Sequence, residues 1–238
     1  MNWETGLGIG VLLSIGLAGI GSAIGLTLAG KAGEKVVTKN DERFASSLIY
    51  AVLAETPSIY GLLVALVLLM NYQSISDLVK SNAISNSQAL WTPIAAGLCV
   101  GVTGFFAALG IGYAAAAGII VNMKEPKLFG KSLVFIILPE TIVIYGLLIA
   151  LLLLRTLGAF GPAVFIENGS SLMLPSLIIS SVGITGVLLG KLGAEGIRGL
   201  AEREESFGKN MVFVVLVESI AIYGLLVSIL MLRGFGII

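Results

Sequence analysis

The sequence predicts an all-α integral membrane protein, with six transmembrane helices forming three tandem parallel hairpins. Three observations carry this prediction. First, 57% of the residues are hydrophobic and only 12% charged, with a mean hydropathy of +1.03, whereas a soluble domain carries about 25% charged residues. Second, the apolar residues fall in blocks longer than the ~20 needed to cross a hydrocarbon core. Third, the chain repeats itself in one fixed register. Only helices and closed barrels satisfy their backbone polar groups in lipid. The ten-residue alternation of barrel strands is absent, which leaves helices.

The blocks lie at about 6–30, 44–70, 91–121, 131–154, 172–195 and 210–233. The first is rich in Gly and Ala and carries Gly21 and Gly25 at a spacing that lets helix backbones approach closely. The second carries bulky Leu, Ile and Val around Glu55, with Pro57 two residues on. The third is again small-residue, with Gly97 and Gly101, and holds the single cysteine, Cys99. The fourth carries Glu140 behind Pro139. The fifth contains Gly186 and Gly190, with Lys191 near one end, where it reads as snorkelling to the interface. The sixth carries Glu218 and no proline. Small residues on odd helices and large ones on even helices predict a curved wall with the odd helices at the inner radius.

The glutamates set the register. Glu140 lies 85 positions after Glu55, and Glu218 lies 78 after Glu140. The same offsets superpose Phe44, Phe129 and Phe207, and also Gly33, Gly118 and Gly196. Each unit is therefore one hairpin: a small-residue helix, a short polar loop and a helix bearing Glu. The expected repeats are 1–74, 75–160 and 161–238. Of the 14 Lys and Arg residues, all but Lys80, Arg155 and Arg233 lie in the hairpin loops and their borders. The positive-inside rule then makes the loops cytoplasmic and puts both termini and the inter-repeat linkers on the other side. Parallel copies are not the inverted repeats usual in secondary transporters.

Inventory excludes several functions. With no His and one Cys, there is no Cys/His metal site and no Cys/His catalytic pair. A net charge of zero gives no reason to expect nucleic acid as a partner. What stands out is a carboxylate in the middle of three apolar runs, each costing roughly 2.5–3.5 kcal/mol to insert. Burial disfavours a charged carboxyl, so it crosses lipid as the neutral acid or paired with a bound cation. In a hydrated path the charged form is favoured and the ion leaves. A carboxyl alternating between these environments is an ion carrier and needs no cofactor.

The segment Gly-Ile-Gly-Ser-Ala-Ile-Gly at 19–25 resembles the first helix of the rotor-ring proteolipids of V-type and archaeal A-type ATPases. Leu-Pro-Glu-Thr at 138–141, running into Ile-Tyr-Gly, resembles their ion-binding helix, and the likeness covers nearly the whole chain. It implies a homo-oligomeric ring in lipid that turns against a membrane stator subunit. The charged loops would grip central-stalk subunits, and the chain itself would be non-catalytic. It further implies that Glu55, Glu140 and Glu218 bind the ion, with Thr56, Thr141, Ser219, Tyr60, Tyr145 and Tyr223 as possible neighbours. Each Tyr equally reads as packing against the next helix.

The ion is H+ or Na+. Sodium is a hard cation needing several oxygen ligands, and sodium-carrying relatives add a Gln from the odd helix. Here that position holds Leu26, Ile111 and Leu189, while Gln73 and Gln88 are assigned to a linker, so protons are favoured. Two other functions stay open: a stand-alone ion-coupled transporter, and a structural proteolipid whose glutamates cross-link helices. The second needs donors at the same depth, and the odd helices offer Ser22, Thr103, Ser181 and Thr185.

Overall fold

The computed structural model describes residues 2–238; Met1, the first residue of the expected first repeat, lies outside them. The described residues contain helices, turns and no strand. Six segments are long and apolar enough to span a membrane: Trp3–Val37, Asp41–Met70, Asn86–Lys124, Pro126–Arg155, Gly169–Glu202 and Glu204–Gly234. Each is longer than its apolar block, because the helices continue into polar ends. Asn2 caps the first by accepting from the Thr5 amide, and Ser85 Oγ caps the third by accepting from the Gln88 amide.

The odd spans are α1 (Trp3–Val37), α5 (Asn86–Lys124) and the pair α8 (Met173–Val182) and α9 (Thr185–Glu202). They stand side by side, α1 on α5 and α5 on α8 and α9. The even spans are α2 (Phe44–Val52) with α3 (Thr56–Met70), α6 (Phe129–Ile137) with α7 (Glu140–Arg155), and the unbroken α10 (Phe207–Gly234). They form a second row, each seated against the odd helices, with α7 between α3 and α10. The outer row leaves Leu62, Leu66, Ile144, Leu148, Leu226 and Leu230 exposed, an apolar face suited to lipid.

Glycine sets the inner spacing. A Cβ on Gly25 would overlap the Ala108 carbonyl, one on Gly101 the Leu13 carbonyl, and one on Gly190 the Gly110 backbone. A Cβ on Gly112 would come 2.5 Å from the Gly25 Cα. Backbones that meet this closely gain dispersion along their length, which drives helix association where lipid is as apolar as Leu. All six glycines of the three Gly-x-x-x-Gly pairs lie at such contacts.

The three hairpin loops are built alike. Each has a 3-10 turn, Asp41–Arg43, Pro126–Leu128 or Glu204–Ser206, immediately before the helix that opens on Phe44, Phe129 or Phe207. At the other end the linkers are less alike. The first contains a short helix, α4 (Tyr72–Lys80). Tyr72 packs its ring on Trp3 and donates to Glu4 at 3.1 Å.

The second linker corrects the reading of Gln88 as a linker residue. Gln88 lies in the first turn of α5 and is fully buried. Its Nε2 donates to the carbonyls of Thr156 and Val164, and its Oε1 accepts from the Ile166 amide. One side chain thus satisfies three groups of the 156–166 turn, so a polar residue is retained at an apolar helix end. Gln73 does lie in the first linker, within its short helix α4.

Candidate functional site

Glu55, Glu140 and Glu218 lie at or within a residue or so of the midpoint of spans Asp41–Met70, Pro126–Arg155 and Glu204–Gly234. The chain around each is not the same. Before Pro57 the helix tightens into a 3-10 turn at Leu53–Glu55, because proline has no N–H to donate back to the Leu53 carbonyl. Thr56 Oγ1 takes that carbonyl at 2.9 Å. At Pro139 the helix breaks again, and Glu140 opens α7. Around Glu218, with no proline, α10 is continuous.

The tyrosines reach across hairpins. Tyr60 donates to Glu140 Oε1 at 2.9 Å, and Tyr145 donates to Glu218 Oε1 at 3.2 Å. The phenol of one hairpin therefore serves the carboxyl of the next. Both tyrosines and both of these glutamates are half-buried. Glu55 and Tyr223, at opposite ends of the row, are exposed.

The hydroxyls beside the glutamates point elsewhere. Thr56, Thr141 and Ser219 donate to the carbonyls of Leu53, Leu138 and Leu216, three residues back on their own helices. Their oxygens keep lone pairs but send no proton to a carboxylate. On the odd helices, Thr103 donates to Cys99 O, Ser181 to Ile178 O and Thr185 to Val182 O. Ser22 Oγ is buried without a partner. These four side chains make no hydrogen bond to a glutamate; the donors that reach Glu140 and Glu218 from another helix are Tyr60 and Tyr145.

Of the positions aligned with a sodium ligand, Ile111 and Leu189 are fully buried and Leu26 is partly exposed. Among the described residues there is no cluster of three His, Cys, Asp or Glu side chains that could hold a metal.

The loops carry a second inter-hairpin contact. Glu204 meets Lys131 at 2.8 Å and Lys127 at 3.3 Å. Deeper in the same seam, Phe135 packs edge-on against Phe207, their rings 5.5 Å apart. In the first seam Tyr50 stacks on Phe129 at 4.8 Å and donates to its carbonyl. Sequence reasoning weighed none of these residues as seam contacts. The signal was the exact repeat register, which places an aromatic at 50, 135 and 213.

Comparison with known proteins agrees with this architecture. The profile of the ATP synthase C-subunit family matches residues 9–68, 94–153 and 172–231, once per hairpin. The A-type ATP synthase subunit K of Methanocaldococcus jannaschii is 35% identical over 224 residues, covering 94% of each chain. The V-type sodium ATPase subunit K of Enterococcus hirae is 32% identical over 54% of this chain and 81% of its own. The 16 kDa proteolipid of the human V-type proton ATPase is 28% identical over 61% of this chain and 88% of its own. With three matched segments and a relative similar from end to end, this six-span membrane chain belongs to the ATP synthase C-subunit family.

Proposed function

We propose that the chain is an ion-translocating rotor-ring subunit of an A- or V-type ATPase or ATP synthase, with Glu55, Glu140 and Glu218 as its carriers. One observation carries this: a carboxyl at the centre of each even span, on the outer helix row, three times in one register. A carboxyl there meets lipid through most of a turn, where its neutral form is favoured. It gives up the ion where a hydrated path favours charge. The chain itself breaks no covalent bond; it binds and releases, and rotation couples this to nucleotide chemistry elsewhere in the complex. With an acid on every hairpin, each chain passes three ions per turn.

Protons are the ion this reading favours. Sodium needs several converging oxygens, whereas a proton needs only the carboxyl and a hydrogen-bond partner. Leu26, Ile111 and Leu189 add no oxygen from the inner row. One relative is named for sodium and others for protons, so the choice rests on these residues. The basic loops are assigned to the cytoplasmic side, where they face the central stalk, and the outer row faces the membrane stator.

A carbodiimide, which reacts with protonated carboxyls in lipid, tests the site. It should label Glu55, Glu140 and Glu218 and stop ATP-driven ion pumping by the holocomplex. Labelling elsewhere with pumping abolished overturns the assignment. Protection by sodium near neutral pH would replace the proton by sodium. A small self-sufficient oligomer with transport activity, free of any ATPase sector, would favour the secondary-transporter reading instead.

A further inference from the structure

Lys191 stands deeper in its span than a loop residue does. It falls five to six residues past the middle of Gly169–Glu202, about 8 Å at the helical rise per residue. The edge of the hydrocarbon core is about 15 Å from the middle, so the lysine backbone sits about 7 Å inside it. A cation at that depth is costly and calls for an anion. Among the described residues Lys191 is in no ion pair. Glu195, one turn on, is bonded to Arg198 instead. The Lys191 ammonium lies 5.3 Å from the centroid of the Tyr113 ring on α5, a cation–π contact. Tyr113 fills the same place in the second repeat, 78 positions earlier, so ring and lysine share one depth. The ammonium is turned across to the neighbouring helix and not up to the interface.

These two residues border an open groove of about 460 Å³ that Leu188 and Leu192 wall and Glu195 and Arg198 close at the loop end. Lys191 and Arg198, two turns apart, share one face of α9. The even helices lie on the opposite face, where Gly193 and Gly196 meet Phe135. Arg198 stands about 19 Å from the middle of the span, in the headgroup layer. Toward the middle, Leu188, Ile184 and Leu177 are exposed and apolar. Two cations and one carboxylate leave the groove with one positive charge. We propose that it holds the headgroup of one anionic phospholipid, with the phosphate between Lys191 and Arg198 and the acyl chains along Ile184 and Leu177.

The chemistry selects this occupant. It must bring one negative charge below the interface and carry apolar chains toward the middle of the membrane, which a phosphodiester lipid does. A basic pocket between membrane helices is a known form of headgroup site. The groove is made once per chain. Where the third hairpin has Lys191 and Arg198, the first has Leu28 and Lys35, and the second has Tyr113 and Ile120. Only the third has a cation at both levels. The proposal stands on the free face of the inner row and not on the carboxyls of the outer row. On the rotor-ring reading that face lines the central opening.

The test is made on the purified assembly, washed in mild detergent, by mass spectrometry of the phospholipid that stays bound. Anionic phospholipid should be retained over zwitterionic. Lys191→Leu, which copies the first repeat, should lower its retention about fivefold. Lys191→Arg should keep it, and Lys80→Gln, at the other end of the spans, should leave it unchanged. Equal retention in Lys191→Leu overturns the site, and so does equal retention of zwitterionic lipid. A Lys191→Leu chain that no longer assembles would make the lysine a structural residue and overturn the site as well. Lipid-depleted assembly is then offered phosphatidylglycerol with and without excess inorganic phosphate. Displacement of the lipid by phosphate assigns the groove to a free anion and overturns the lipid reading. Assembly size and carbodiimide labelling in the same preparation report on the rotor-ring reading separately.

Discussion

Replacing Gly112 by Ala puts the inner row under a defined load. The new Cβ would stand 2.5 Å from the Gly25 Cα, while carbon atoms sit comfortably at about 3.5–4.0 Å. Helices α1 and α5 must therefore part by about 1 Å at that level. A gap of 0.5–1 Å forfeits a quarter to a half of each contact's ~0.1–0.2 kcal/mol. Over about twenty to thirty atom pairs the loss is about 1–2 kcal/mol, within the ~1–3 kcal/mol typical of overpacking. Gly30→Ala is the control, because a Cβ there meets nothing within 4 Å and its repeat equivalent is already Ala115. Both changes gain up to ~1 kcal/mol of helix preference, so their difference isolates the contact. SDS titration of the protein in mixed micelles, followed by circular dichroism, should show Gly112→Ala unfolding earlier than Gly30→Ala. Equal midpoints would refute the claim that backbone contact at Gly112 sets the α1–α5 distance.

Other expectations follow from the hydrogen bonds and turns described. Gln88→Ala strips three partners from the buried 156–166 turn and should destabilise it by about 2–3 kcal/mol, read as faster proteolysis or amide exchange confined to that linker. Pro139→Ala restores an N–H that can donate to the Phe135 carbonyl, so amide exchange around Glu140 should slow toward that around Glu218. Tyr145→Phe should speed carbodiimide modification of Glu218 about fivefold and leave Glu140 unchanged, with both rates read from the same digest.

The hairpins were legible because membrane helices declare themselves by length and apolarity, and because the register of Glu, Phe and Gly runs unbroken through loop and helix. The glycine contacts were legible for the same reason: spacing on one helix fixes one face. The tyrosines were not. Tyr60 lies five positions from Glu55, about one and a half turns, so a reading of one helix cannot tell that its hydroxyl reaches Glu140, 80 residues away. Donor and acceptor lie on adjacent hairpins, and only packing brings them together. Gln88 was misplaced for a related reason, since a polar side chain at a helix start looks like linker until the carbonyls it serves are seen. The different courses of the three carboxyl-bearing spans were half legible, as Pro57 and Pro139 have no counterpart in the third repeat.

That difference has a mechanical side. Two of the three carboxyls ride on helices that are jointed beside the acid, and the third on an unbroken rod. Pressed sideways at mid-height, a jointed helix yields at its joint, while a continuous one spreads the bend along its length. A ring built from this chain would present any surface it turns against with a beat of soft, soft, stiff, repeated once per polypeptide. A single-hairpin ring has no such rhythm. Here the compliance of every third step is written into one gene and can be altered there without touching the other two.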